Sequence, residues 1–468
     1  MRTLLLAALL SGLSVSAAAE EPLQVAFGEC DITPDVAGRH AVWIAGYGTN
    51  RRAEGVHDPL RARAVVLQHG GQKIALVSVD LVGLQLPEVR AIRAKLEGFA
   101  YVMVSSTHNH EGPDVIGLWG PSPLASGVDR KYLRRVVDDV AQLVTETAAR
   151  CQPATAEYGT AEDETLLGDS RLPKVYDGVL RVLKFSPVGG GRPLGILVQW
   201  NCHPESLGSK NKLITADFPW ATVEAMKKEH SCPVAYFTGT VGGLMGSPDG
   251  VVKDAAGNLL DEGNFEYARV YGEMIAGLAN KALASAQPLR LTPFAVFAKP
   301  VAVPLANPIY QAGRSLGVLQ REARVWTGQA EELGEAVEGS LPAGATAAVE
   351  TEVAYLRLGE LHAACIPGEI YPELVYGKFQ EPADPGADFP DAPLETPVMQ
   401  SLPGPKTMLF GLANDEIGYI IPKRQWDQVP PFAYGRAKSQ YGEINSVGPE
   451  AAPIVLQALA DRVRDAAE

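Results

Sequence analysis

None of the five cysteines forms a Cys-x-x-Cys pair, which argues against a cysteine-built zinc site. There is no basic run, and the formal net charge of −14 disfavours nucleic acid and anionic membrane surfaces as partners. No stretch reaches the roughly 18 apolar residues that a membrane-spanning helix needs. The glycines of Gly46-Tyr47-Gly48 match no phosphate-loop spacing, so no nucleotide site is assigned. Internal repeats and long low-complexity linkers are also missing.

What remains has the composition of a globular protein, long enough at 468 residues for two or three domains or one large α/β domain. The N-terminus differs from the rest. Arg2, the apolar Leu4 to Leu10 and Ala17-Ala18-Ala19 form a positive start, a short apolar core and an A-x-A end. This pattern predicts a signal peptide over residues 1–19, cut after Ala19, and a soluble protein of residues 20–468, secreted or periplasmic. In an oxidising compartment Cys30, Cys151, Cys202, Cys232 and Cys365 allow one or two disulfides, with a thiol left over. Cys202, directly before His203, reads as a small buried filler rather than a nucleophile.

Periodicity outlines the organisation. Residues 20–60 read as loop-rich. Strand-like runs cover Ala62–Gln68 and Lys73–Val79, joined by a hairpin at Gly70-Gly71. Further strands are expected at Tyr101–Val104, Val179–Phe185, Leu194–Trp200, Pro233–Phe237, Val353–Leu358, Leu361–Cys365 and Thr407–Leu412. Helices are expected at Pro87–Gly98, Asp129–Arg150, Asp217–His230 (capped by Asp217), Asn264–Gln287, Glu450–Ala467, and from Ala306 to about Glu338. The alternation predicts a mixed α/β (α+β) fold, a layered mixed sheet flanked by helices in one large domain.

Strand-like runs end repeatedly in polar or glycine clusters: His108/His110, His203, Gly242-Gly243, Glu369 and Asn414 to Tyr419. In layered α/β folds, ligand sites gather at strand ends. His108 and His110 stand two apart after an apolar run. If the strand continues through them, both imidazoles point to one side. Two such nitrogens, a third from His203 and a carboxylate would make a zinc site. Each residue also has a structural reading. His203 would serve equally as a core histidine, Glu369 as a turn carboxylate, Tyr419 as a core tyrosine and Asp217 as a helix cap. Asp80, after a buried strand, is placed to orient a ligand histidine.

These clusters, in this order, resemble the neutral/alkaline (non-lysosomal) ceramidase family. The stretches that carry the resemblance are Asp31-Ile32-Thr33-Pro34, Leu60-Arg61-Ala62-Arg63-Ala64, Thr107-His108-Asn109-His110-Glu111-Gly112-Pro113, Cys202-His203-Pro204-Glu205, Pro367-Gly368-Glu369 and Gly411 to Ile420. The similarity as a whole runs from about residue 24 to 450. The resemblance implies a Zn2+ ion held by His108, His203, Glu369 and Tyr419. His110 would then contact substrate or shuttle protons, with Tyr419 or the metal stabilising an oxyanion. Two departures stand out. The family's active-site serine is missing from Gly239 to Gly246. The preferred register puts Gly242 at its position, the other puts Met245 there. The chain also stops where family members continue into an immunoglobulin-like domain.

The expectation is a zinc-dependent hydrolase of linear amide bonds, acting on ceramide (a sphingolipid) or another small-molecule or lipid N-acyl compound through metal-activated water. The alternatives are a zinc-containing binding protein on the same scaffold that has lost catalysis, or an esterase.

Overall fold

The computed structural model describes residues 21–468 apart from 249, 338 and 340; the leader expected at 1–19 lies outside the described residues. The chain starts with β1 (Gln24–Asp31), β2 (Gly55–Val56), the hairpin β3 (Arg61–His69) and β4 (Gln72–Val79), α1 (Leu86–Arg93), β5 (Tyr101–Ser106) and α2 (Arg130–Ala148). Next come β6 (Gln152–Glu162), β7 (Val179–Pro187), β8 (Gly195–Trp200), β9 (Leu213–Ile214), α3 (Asp217–His230), β10 (Val234–Thr238) and α4 (Phe265–Ala284). Then follow β11 (Gln287–Leu289), β12 (Phe294–Pro304), α5 (Pro308–Ser315), β13 (Ala323–Val325), β14 (Ala336–Val337), β15 (Ala347–Leu358) and β16 (Leu361–Cys365). The chain closes with β17 (Glu369–Ile370), α6 (Pro372–Tyr376), α7 (Val398–Ser401), β18 (Thr407–Phe410), β19 (Tyr419–Ile420) and α8 (Ala451–Asp465).

Among the described residues, nine strands form one sheet in the order β10–β8–β7–β6–β1–β3–β4–β5, with β11 on β6. Six form a second, β14–β13–β15–β16–β18, with β12 on β15. Period-two alternation sorts their side chains into layers. On β3, Val65 and Leu67 face Leu356, Ala363, Met408 and Phe410 across the space between the sheets. Ala62, Ala64 and Val66, on the opposite face of β3, pack with Tyr132, Val136, Val140 and Val144 of α2. The other half of the large sheet packs against α3 and α4, and the second sheet against α8. The result is helix, sheet, sheet, helix. Strands covered on both faces explain the near-continuous apolar runs. Each fully buried Val or Leu contributes roughly 1.5–3 kcal/mol over leaving it exposed.

Both sheets are mixed, as expected. Their parallel pairs are β4/β5, β8/β10 and β16/β18. The large sheet curls until its end strands approach. Thr238 Oγ1 at the end of β10 donates to Thr107 O just past β5, at 2.8 Å. The segment after β18 fits between them: Gly411 N donates to Thr238 O at 2.9 Å, and Ser105 Oγ to Gly411 O at 2.8 Å. The carboxyl ends of β5, β10 and β18 therefore open into one place.

Several expectations change. The helix expected from Ala306 to about Glu338 is only α5. Asn307 caps it, accepting from Ile309 N at 2.9 Å, and Gly317 (φ +72°) follows its end. Beyond it, β13 and β14 join the second sheet. β1 lies inside the stretch read as loop. β6 and β12 were also missed; polar residues dilute the first, and Pro300 and Pro304 interrupt the second. Asp217 is the first residue of α3 rather than its cap, with Ala216 at the cap position. All five cysteines are free thiols, with Cys365 between the sheets and Cys202 and Cys232 in the core around α3 and α4.

Candidate metal centre

β5 ends at Ser106, and the backbone turns sharply at His108, which takes φ +67°. A left-handed conformation costs a non-glycine residue roughly 1–2 kcal/mol, and such outliers gather at functional sites. The extended strand therefore does not continue through His110, so the condition for a period-two presentation of the two imidazoles is not met. The imidazoles meet all the same, with His108 Nε2 and His110 Nε2 3.2 Å apart. The turn is held from outside. His108 Nδ1 lies 2.7 Å from Val82 O, Asn109 N donates to Leu81 O at 3.1 Å, and His110 N donates to Pro204 O at 3.0 Å.

The other members come from two more strand ends. His203 follows β8, and its Nδ1 lies 3.1 Å from Leu244 O. Glu369 opens β17, which pairs in parallel with β19 so that Glu369 lies opposite Tyr419. That approach needs glycine at 368, because a Cβ there would stand 2.5 Å from Gly418 O. Glu369 Oε2 is 3.0 Å from His203 Nε2 and 3.2 Å from His108 Nε2. Tyr419 Oη is 3.2 Å from His203 Nε2. All five residues are buried.

This donor set fits a divalent ion. The backbone carbonyls of Val82 and Leu244 take the Nδ1–H groups of His108 and His203, turning each Nε2 lone pair inward. A tetrahedral ion with bonds of about 2.0–2.1 Å has ligand–ligand edges of about 3.3 Å, close to the separations above. Among the described residues, two groups of ligand atoms meet the spacing a metal needs: His108/His110/His203 and His108/Glu369/Glu416.

Charge is arranged accordingly. Burial alone would lower the pKa of His108, but the Glu369 carboxylate, with Glu416 behind it, raises it to about 9. Burial favours the neutral acid at Glu369, yet His108 and His203 hold it well below the usual carboxylate range. Burial pushes His110 down to about 4 against the pull of Glu205, and the charge of His108 adds to the fall. Tyr419 is driven far up by burial and by Glu369. A proton on His108 thus stands where a cation would.

Three residues that the sequence did not single out belong here. Glu205 Oε2 lies 3.3 Å from His110 Nδ1. Tyr47 Oη donates to the same carboxylate at 3.0 Å. Glu416 joins His108 and Glu369; its position inside the Asn414–Tyr419 cluster was the only signal. Asp80 does not orient a ligand histidine. Its carboxylate is taken by Arg63 Nη1 at 2.9 Å and by Arg61 N at 2.8 Å, and carbonyl oxygens do the orienting instead. At the position of the missing serine, Gly242 backs onto Tyr371 and Ile370, where a Cβ would lie 2.6 Å from Tyr371 Cδ2. Met245 is the residue that reaches the site, its Sδ 3.8 Å from Tyr419 Oη. Of the two candidate positions, Met245 therefore faces the cluster and Gly242 is packed behind it. Ser247 turns away to Tyr267.

The cluster lies at the base of a cavity of about 570 Å³ whose lining includes His108, His110, Glu369, Glu416 and Tyr419. Its walls are mostly apolar, among them Ile116, Leu118, Trp119, Leu319 and Val447. No helix among the described residues is long and apolar enough to cross a membrane.

The fold and the cluster define a class: a layered α/β protein with a buried His/Glu/Tyr centre suited to a divalent metal at the floor of an apolar cavity. No protein-family model matches the chain. Among solved structures it is similar to neutral ceramidase from Pseudomonas aeruginosa, with a TM-score of 0.69 and 18% sequence identity over 95% of this chain and 74% of that one. It is also similar to a ceramidase complexed with C2, with a TM-score of 0.67, 18% identity, and coverage of 95% and 75%. The chain has a neutral ceramidase-like fold.

Proposed function

We propose that this chain is a zinc-dependent hydrolase of linear amide bonds, ceramidase-like in scaffold, acting on ceramide or a related N-acyl compound. The observation that carries the reading is the convergence of His108, His203, Glu369, Tyr419 and His110 at the floor of an apolar cavity, on this fold. His108, His203, Glu369 and Tyr419 would hold the ion. When bound, zinc supplies Lewis acidity, polarising a carbonyl and lowering the pKa of water from roughly 15.7 to about 7. His110, neutral near pH 7, accepts a proton at Nε2 and passes it to the leaving amine, with Glu205 steadying the imidazolium. Tyr419 Oη donates to the oxyanion. Ile116, Leu118, Trp119 and Leu319 exclude water and receive an acyl chain. Water as nucleophile needs no serine. The leader pattern at 1–19 is the basis for placing the protein outside the cytoplasm.

Purified protein incubated with a panel of N-acyl amides, ceramide included, should release free amine in a chelator-sensitive way, with matched esters assayed in parallel for release of alcohol. Ester turnover alone would make the protein an esterase. No turnover across the panel overturns the reading. One observation favours a second reading, a zinc-containing binding protein: the thioether of Met245, rather than a hydroxyl, faces Tyr419. Tight metal retention with saturable amide binding and no hydrolysis would establish it.

A further inference from the structure

Glu416 presents a second carboxylate at the same centre. Its ligand atom, that of Glu369 and a ring nitrogen of His108 all lie within 4.8 Å of one another. Glu416 is only 9% exposed. One of its oxygens, Oε1, accepts from Gly418 N at 2.6 Å, while Oε2 is buried without a hydrogen-bond partner. The carboxylate also lines the cavity beside Glu369.

The surroundings are built to hold it there. Gly83 leaves the room it occupies, since a Cβ at 83 would stand 2.7 Å from both Cβ and Cγ of Glu416. The neighbouring Asp415 is fully buried and fixes the loop. Its Oδ1 accepts from Glu416 N at 2.8 Å and from Leu86 N at 3.1 Å. The nearby cation, Arg321, is spent on Asp415, with Nη1 to Oδ1 at 2.6 Å. Glu369 and Glu416 thus bring two carboxylates against the imidazoles of His108 and His203, and Arg321 reaches only the backbone oxygen of Glu416, not its carboxylate. Buried charges are paired or coordinate metals, and removing a lone carboxylate from water costs several kcal/mol unless a partner answers it.

We propose that Glu416 is a further ligand of the metal centre, closing on the ion through Oε2 from the side of His108 and Glu369. This rests on the metal reading above. With His203 and Tyr419 the protein then offers five ligands, more than the four of a closed tetrahedral site. The added carboxylate raises affinity for divalent ions in general. It favours harder ions that accept five or six ligands, such as Mn2+, more than it favours Zn2+.

The test titrates Zn2+ and Mn2+ separately into the metal-stripped full chain against a chromophoric chelator, for wild type, Glu416→Gln, Gly83→Ala and His108→Ala. Glu416→Gln keeps the size and polarity of a buried side chain, so its fold is preserved. The expected result is a fall in affinity of at least about tenfold, the scale seen even for groups one step removed from a metal, with Mn2+ losing more than Zn2+. Gly83→Ala displaces the carboxylate and should weaken Mn2+ in the same direction. The Co2+-loaded wild type should show the weak visible absorption of a five-coordinate ion, intensifying in Glu416→Gln. Wild-type affinity in Glu416→Gln, with metal lost in His108→Ala, overturns the role of Glu416 and leaves the metal centre standing. Full affinity in His108→Ala overturns both.

Discussion

His203 Nε2 lies 3.0 Å from Glu369 Oε2, although 166 positions separate the two residues in the chain. They follow strands of different sheets, and the packing of those sheets makes the contact. If the pair grips an ion with His108, then His108→Ala or His203→Ala should take the purified protein from about one ion per chain to almost none by elemental analysis. Full occupancy in both variants would dismiss the centre.

Metal uptake should release protons. His108 has its pKa raised from 6.5 to about 9 by Glu369, so the metal-free protein carries that proton at pH 7.5. A ligating imidazole must be neutral. Calorimetry in buffers of different ionisation heat should therefore report at least about one proton released per ion bound, and affinity should climb with pH until about pH 9. Absence of proton release would show that the ion does not displace the proton of His108.

The sign for stability follows from the same pair. A raised histidine stabilises the metal-free fold fully below its ordinary pKa of 6.5, and the contribution is lost as pH rises through about 9. Glu369, held low, contributes above the ordinary carboxylate range, and that part is lost on acidification. His110, held down to about 4, costs the fold stability below pH 6.5, so urea midpoints of the chelator-treated protein should peak near pH 6.5 and decline towards pH 9. A midpoint that rises steadily over that interval would contradict the pairing.

Serine replacement separates the two registers. Gly242→Ser forces a Cβ to within 2.6 Å of Tyr371 Cδ2 and 2.7 Å of the Ile370 carbonyl carbon. Overpacking of this kind costs typically about 1–3 kcal/mol, visible as a lower melting temperature. Met245→Ser meets no such barrier and puts a hydroxyl beside Tyr419, so any gain in ceramide hydrolysis should come from that variant. Activity gained by Gly242→Ser and not by Met245→Ser would restore the first register.

Asp80 belongs to the scaffold. Arg63 and Asp80 are 2% and 0% exposed and 2.9 Å apart. Breaking such a pair strands a buried charge, at about 3–5 kcal/mol. Asp80→Asn should lower the urea midpoint while metal content stays at the wild-type level. Metal loss from a variant that unfolds normally would instead return Asp80 to the role of orienting a histidine.

Much of the fold was legible because burial on one or two faces writes itself into periodicity. The stripe of α2 behind its cap Asp129, the hairpin at Gly70-Gly71 and the apolar runs of β5, β8 and β10 are local patterns with local causes. Where structure rests on a distant partner, the reading failed. β12 carries Pro300 and Pro304 and is a strand because β15 pairs with it along eleven positions. The segment after α5 is rich in Glu, Arg and Ala yet lies in the second sheet, where Arg324 binds Glu350 at 2.7 Å.

The candidate centre divides in the same way. The sequence by itself determined that polar clusters end the buried strands, and it carried the residues that resemble ceramidase motifs: His108, His110, His203, Glu369 and Tyr419. Only the tertiary structure decided that these clusters meet. The curl of the large sheet brings β5 to β10, and the segment after β18 closes the gap. It also decided the orienting groups, since the carbonyls of Val82 and Leu244 leave no trace in residue identity. It placed Met245 beside Tyr419 with Gly242 packed against Tyr371, and it brought Glu416 into the room beside Gly83. Residue identity records which groups are available; their approach to within about 3 Å of one another depends on backbones that the sequence places far apart.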